Sequence, residues 1–167
     1  SLLKKALQED PSSGGEALNL MGYYAGEMGD REREEKFYRE AIMTGDGTAP
    51  LFNLALLLHR QGKEDEALDA LAMAIERNPE GPSFGLRAKI HKACKQEEKM
   101  AQDLREVEVH SGELKAMSDW ELGWRADAAV LANDEAAAQA AREEQQRRCR
   151  RRTEVAPQQG VLPVMES

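Results

Sequence analysis

Apolar positions along this chain recur at helical rather than strand spacing, and they do so in two matching blocks. Gly15 to Asp46 holds two apolar stretches of helical period split by Gly29-Asp30, and Thr48 to Glu80 holds two more split by Gly62-Lys63. An offset of 33 residues pairs Leu18 with Leu51, Met21 with Leu54 and Gly22 with Ala55. The same offset pairs Gly29 with Gly62, Tyr38 with Leu71, Ala41 with Ala74 and Ile42 with Ile75. Self-similarity at such a period marks a repeat architecture. It predicts two helical hairpins with Gly29 and Gly62 in their turns.

After Pro79 the pattern thins. Phe84, Leu86, Ala88 and Ile90 predict a first helix of a third unit, and Met100, Leu104 and Val107, spaced i, i+4, i+7, predict its second. No glycine stands at the expected turn. Lys95-Gln96-Glu97 occupies it instead, which leaves the register open by one or two residues. Ser111-Gly112 breaks the helix, and Ser118-Asp119-Trp120-Glu121 reads as a capping box that starts another. Ala126, Asn133-Asp134 and Ala138 suit a fourth, atypical pair with its turn at Asn133 and a helix from about Glu135 to Arg152. From Thr153 onward two prolines, one glycine and no helical period predict a flexible tail over 153–167. Its apolar stretch Val161 to Met165 is either free or docked in a groove of its own or of a neighbouring molecule.

These units resemble the tetratricopeptide repeat. The second matches at Leu51, Leu54-Ala55, Leu58, Gly62, Ala67, Leu71, Ala74 and Pro79, and the first at Leu18, Met21-Gly22, Gly29, Tyr38 and Ala41. The first departs at Glu34, where the family has a small residue, and at Asp46, where it has Pro. Small residues at 22, 55 and 67 let two helix backbones approach, and a larger side chain would overpack the contact. Lys4 to Pro11 resembles the end of a preceding repeat, so residues 1–13 are expected to be its remnant. A start in mid-repeat, on Ser rather than Met, points to a piece of a longer protein; a processed natural N-terminal helix is the alternative. The resemblance implies an all-α, right-handed α-solenoid of antiparallel helix pairs over 14–152, with clear repeats at 15–47 and 48–80. Residues 81–152 would form a degenerate C-terminal cap with a polar outer face.

Composition agrees with this reading. Of the 41% hydrophobic residues 24 are Ala, and only 5% of the chain is aromatic, so helices are expected to touch through small side chains. No apolar run approaches the ~20 residues of a membrane span, no secretory leader precedes the helices, and two cysteines make no disulfide scaffold. A soluble, cytoplasmic protein is expected, without membrane contact. The net charge of −8 divides into −10 over residues 1–141 and +2 over 142–167, which argues against a nucleic-acid partner. The run Arg147 to Arg152 has three readings: a solvated helix end, a contact for acidic surfaces including a second copy, or a nucleic-acid contact. Self-association through that helix or through the chain end at Leu2 and Leu3 stays open.

No catalytic constellation emerges, and neither an enzyme nor a cofactor is expected. His91 and Cys94, spaced i, i+3, could face one ligand, but zinc needs about four such groups and no second pair exists. Cys94 likewise has no oxyanion site to serve a nucleophile. Gly45-Asp46-Gly47-Thr48 lacks the Lys of a phosphate loop and reads as the inter-repeat turn, with Thr48 as N-cap before Pro50. The acidic clusters Glu32 to Glu35 and Glu64 to Glu66 suit the helix dipole.

In the family, the first helix of each repeat lines a concave surface that takes a partner's peptide or helix. The resemblance therefore places a binding groove on Glu16, Asn19, Leu20, Tyr23 and Glu27 of the first repeat, and on Phe52, Asn53, Leu56, His59 and Arg60 of the second. Function is expected to be protein–protein interaction as a scaffold or adaptor. The alternative is a structural spacer or dimerisation arm of a larger protein. A third reading is the carboxylate clamp by which some members bind heat-shock chaperones: Asn53 falls on a clamp position and Arg87 reaches one in a favourable register. The first-repeat Lys is missing, however, and Glu16 would repel an acidic ligand.

Overall fold

A computed structural model describes residues 11–45 and 47–155. They form eight helices and no strand: α1 (Pro11–Glu27), α2 (Arg31–Thr44), α3 (Ala49–Arg60), α4 (Glu64–Arg77), α5 (Gly81–Ala93), α6 (Glu97–Val109), α7 (Asp119–Leu131) and α8 (Glu135–Val155). Successive helices pack as hairpins, α1 with α2 through α7 with α8. The first helices α1, α3, α5 and α7 contact one another in that order. The result is an all-α solenoid. Among the described residues no helix is long and apolar enough to cross a membrane. The expected preceding-repeat remnant up to Asp10, Leu2 and Leu3, Asp46 and the apolar stretch at 161–165 lie outside the described residues. Helix α8 continues to Val155, three residues past its expected end at Arg152.

All four hairpin turns are built alike. Gly29, Gly62, Lys95 and Asn133 adopt positive φ, at 79°, 74°, 58° and 58°. In each case the next residue's N–H closes a six-residue loop onto the preceding helix: Asp30 to Ala25 O, Lys63 to Leu58 O, Gln96 to His91 O and Asp134 to Ala129 O, at 2.8–2.9 Å. This is the Schellman arrangement, which glycine adopts without strain. Lys95 lies 33 residues after Gly62, so the third unit keeps the register of the first two. Phe84 therefore occupies the place of Leu51, Ala88 that of Ala55 and Leu104 that of Leu71.

The first two units bury what their pattern promises. Ala55, Ala67, Leu71 and Ala74 are fully enclosed, and Tyr38, Leu54, Leu58, Leu86 and Ile90 join the first three in one cluster. Arg77 clasps the inter-repeat turn by donating from Nη1 to the carbonyls of Gly45 (3.3 Å) and Gly47 (3.4 Å). Thr48 precedes α3 as expected but makes no side-chain cap bond. Its backbone is αR (φ −85°, ψ −27°), not the extended conformation that aims a capping hydroxyl at the helix.

The third unit has a polar heart. Arg87 sits where the second unit has Leu54, and Asp103 where it has Ala70. Arg87 donates to Asp103 from Nε (3.0 and 3.1 Å) and from Nη2 (2.6 Å), on a carboxylate only 2% exposed. His91 Nδ1 lies 2.9 Å from Asp103 Oδ2, out of line for a hydrogen bond. His91 is thus turned into the core while Cys94 is exposed, and the two face no common ligand.

The fourth pair is fastened differently. Ser118 Oγ accepts from Glu121 N (3.2 Å) while Ser118 N donates to Glu121 Oε2 (2.5 Å), so the expected capping box is present. Hydrogen bonding from the Ser118 side chain, and then from its backbone N–H, holds the Glu121 carboxyl below its usual pKa. Three arginines of the basic run bond within the chain. Arg147 and Arg148 pair with Glu144, and Arg148 also reaches the carbonyls of Leu114, Lys115 and Met117. Arg152 pairs with Asp119 at 2.8 Å. Arg148 and Arg152 of the basic run thus hold the loop before α7 and the first residue of that helix. Ser118→Ala is expected to cost about 1 kcal/mol, seen as a lower urea midpoint with an unchanged m-value.

Candidate functional site

Helices α1 and α3 lie side by side, and a cleft of about 330 Å3 opens along them. Tyr23 and Glu27 of α1 form one wall, and Asn53, Leu56 and Arg60 of α3 the other. Helix α2 supplies the floor through Arg31, Glu34 and Tyr38, and Trp120 of α7 closes one end. Of the groove residues expected from the sequence, Tyr23, Glu27, Phe52, Asn53, Leu56 and Arg60 meet here. Asn19 stands behind them, its Oδ1 accepting from Asn53 Nδ2 at 2.9 Å. His59 turns away, with Nδ1 2.7 Å from Glu64 Oε2 on α4. Glu16 and Leu20 are exposed outside the cleft.

Phe52 is floor rather than anchor. It is 5% exposed, with the ring of Trp120 5.1 Å away and that of Trp124 5.3 Å away, both edge-on. The reason lies on α5. Gly85 occupies the position that Phe52 holds one unit earlier, and a Cβ there would sit 3.4 Å from Trp124. Without a side chain at 85, the indole passes over α5 and reaches α3. Lys89 Nζ lies 4.4 Å from the centroid of the same ring and pairs with Asp127. The indoles consequently cover the first helices beyond the second unit, and the open stretch lies along α1 and α3.

The acidic residue at the family's small position finds its room opposite. Glu34 is buried, with Oε2 2.6 Å from Arg31 Nη1, and its carboxylate lies where a side chain on Gly26 would be. A Cβ on Gly26 would stand 2.6 Å from it. The second unit has the reverse exchange, Ala67 for Glu34 and His59 for Gly26. Arg31, Glu34, Tyr38 and Trp120 were not expected at the site, because they come from a second helix and from a distant repeat. Gly26 facing Glu34 across one hairpin, and Gly85 in the place of Phe52, are the traces they leave in the sequence.

The cleft mixes aromatic surface, one amide and four charged groups. Arg31 is committed to Glu34, whereas Arg60 is exposed and makes no ion pair among the described residues. Tyr38 is 3% exposed, and its phenol is pushed up to about 12, first by burial and then by Glu34. A phenol whose folded pKa exceeds the unfolded value of 10.0 contributes stability below pH 10 that is lost as pH rises toward 12. Unfolding midpoints in urea should therefore fall between pH 10 and 12, and Tyr38→Phe should flatten that decline.

A second opening of about 410 Å3 lies between α2 and α4, over α3. Its walls are Met43, Met73 and Ile42, and it has neither aromatic rings nor amides to fix a ligand.

The family model described as Tetratricopeptide repeat matches residues 15–43 and 49–80, the two hairpins that flank the cleft. No curated protein matches the chain. Among solved structures, the crystal structure of MamA is similar with a TM-score of 0.55 and 13% identity, over 91% of this chain and 87% of that one. At such identity the likeness is one of fold. Its extent takes in most of α5–α8, which the family model does not reach.

Proposed function

Residues 15–43 and 49–80 match the tetratricopeptide repeat, and from that premise we propose that the chain is a non-catalytic protein-interaction scaffold whose cleft between α1 and α3 holds an extended peptide segment of a partner. The carrying observation is the convergence of Tyr23, Asn53, Arg60 and Trp120 on one opening. Each answers a different need of such a ligand. An extended chain carries unpaired amides, and Asn53, braced by Asn19, offers its side-chain oxygen to one of them. Tyr23 and Trp120 give flat walls for side chains, large surfaces with little rotamer entropy to lose. Arg60 pairs with one carboxylate.

The same geometry favours a ligand with few negative charges. Glu27 and Glu34 stand in the cleft, Arg31 is neutralised by Glu34, and Arg87 is consumed by Asp103. A carboxylate clamp, which needs several uncommitted cations, draws less support from this arrangement.

Binding of this kind is expected at micromolar Kd, about 8 kcal/mol. Peptides selected from a randomised display library on the full chain should bind a Tyr23→Ala/Arg60→Glu variant of equal helicity at least tenfold more weakly. Equal binding to both proteins would move the interface out of the cleft.

A further inference from the structure

Helix α8 carries the chain to a particular place. Arg148 bonds the carbonyls of the loop before α7, and Arg152 pairs with Asp119 at the first residue of α7. The next residue is Trp120, which closes the end of the cleft. Residues 156–167 therefore set out from a helix end fastened beside the mouth of the cleft. They read APQQGVLPVMES.

We propose that residues 161–165 of this same chain, Val-Leu-Pro-Val-Met, are an occupant of the cleft between α1 and α3; this rests on the reading of that cleft as a peptide groove. Reach allows it. Five residues lie between Val155 and Val161, so six Cα–Cα steps span about 20 Å when extended, and packed helices lie about 8–10 Å apart. The linker can round the end of α7.

The chemistry matches on both sides. Pro163 holds itself and Leu162 near the extended, polyproline-like conformation, the form that aromatic-lined grooves accept with little loss of entropy. Tyr23 and Trp120, each 51% exposed, are the aromatic walls open to a ligand. Leu162 and Val164 supply apolar side chains on either side of the proline. Glu166 follows directly and brings one carboxylate toward Arg60, which has no ion-pair partner among the described residues. Tethering raises the segment's effective concentration to the millimolar range, so a contact of modest intrinsic affinity stays filled. An outside ligand must displace it.

The test uses the full chain and a full-length Leu162→Asp/Val164→Asp variant, with a fluorescent synthetic peptide of residues 156–167 as probe. The probe should bind the variant with micromolar Kd and the unaltered chain at least tenfold more weakly, because the native segment competes. Arg60→Glu added to the variant should weaken the probe at least fivefold. Equal binding to native chain and variant, or none to either, overturns the proposal. So does a native chain that dimerises in sedimentation while the variant stays monomeric, since the occupant is then a second copy. If the probe fails while library peptides still depend on Tyr23 and Arg60, the groove reading stands and the tail assignment alone falls. If both fail, the groove reading falls too.

Discussion

Arg87→Ala is expected to destabilise the chain by about 4 kcal/mol, the range for breaking one side of a buried ion pair. The guanidinium gives Asp103 three hydrogen bonds at a site where the carboxylate is almost fully enclosed. His91 Nδ1, 2.9 Å away, is out of line for a hydrogen bond. The buried carboxylate would lose the three bonds that Arg87 gives it. The remedy is written one unit earlier. Arg87→Leu with Asp103→Ala imports the residues of the second unit, Leu54 and Ala70, and should recover most of the loss, because replacing a buried pair by packed apolar groups is often neutral or better. Urea midpoints of the two single variants and the double variant measure the coupling directly. Additive losses would show that the pair is not the unit of stabilisation.

Gly22→Val should cost about 2–3 kcal/mol. A glycine inside a helix is ordinarily a liability of about 1 kcal/mol relative to Ala, so a substitution there would normally help. Here a Cβ would stand 2.6 Å from Tyr38 Cε1 and 2.7 Å from Cδ1. The ring is buried and cannot swing aside, so α1 and α2 must part, at the expense typical of an overfilled core. The second unit solves the same contact with Ala55 against Leu71, a narrower side chain. Gly22→Ala combined with Tyr38→Leu should therefore be nearly neutral, while Gly22→Ala alone should not. Thermal midpoints of the three variants distinguish a steric cause from one of helix propensity.

Where the sequence was legible, glycine and alanine made it so. Gly29 and Gly62 mark turns that require positive φ, and Gly22, Ala55 and Ala67 mark close helix contacts. The third unit was hard to register for two reasons. Lys95 takes the left-handed turn position at a strain of about 1–2 kcal/mol, so the usual marker is absent. Arg87, His91 and Asp103 occupy core positions, and a hydropathy pattern cannot tell a buried ion cluster from a solvated helix face. The cleft divides in the same way. Tyr23, Glu27, Asn53, Leu56 and Arg60 follow from helical spacing on first helices. Glu34 and Trp120 come from a second helix and from the fourth unit, which no local periodicity connects to α3.

The indole contacts on Phe52 bear on how the molecule comes apart. A simple solenoid is quasi-one-dimensional: each repeat touches only its neighbours, and the terminal ones fray first. Here Trp120 and Trp124 rest on a residue two repeats away, through rings alone, since the backbones of α3 and α7 do not meet. Unravelling the C-terminal pair would strip the cover from the second repeat's core. The end that an ordinary array gives up first is tied to its middle, and the fourth unit shares with the second an energy term that nearest-neighbour terms alone do not describe.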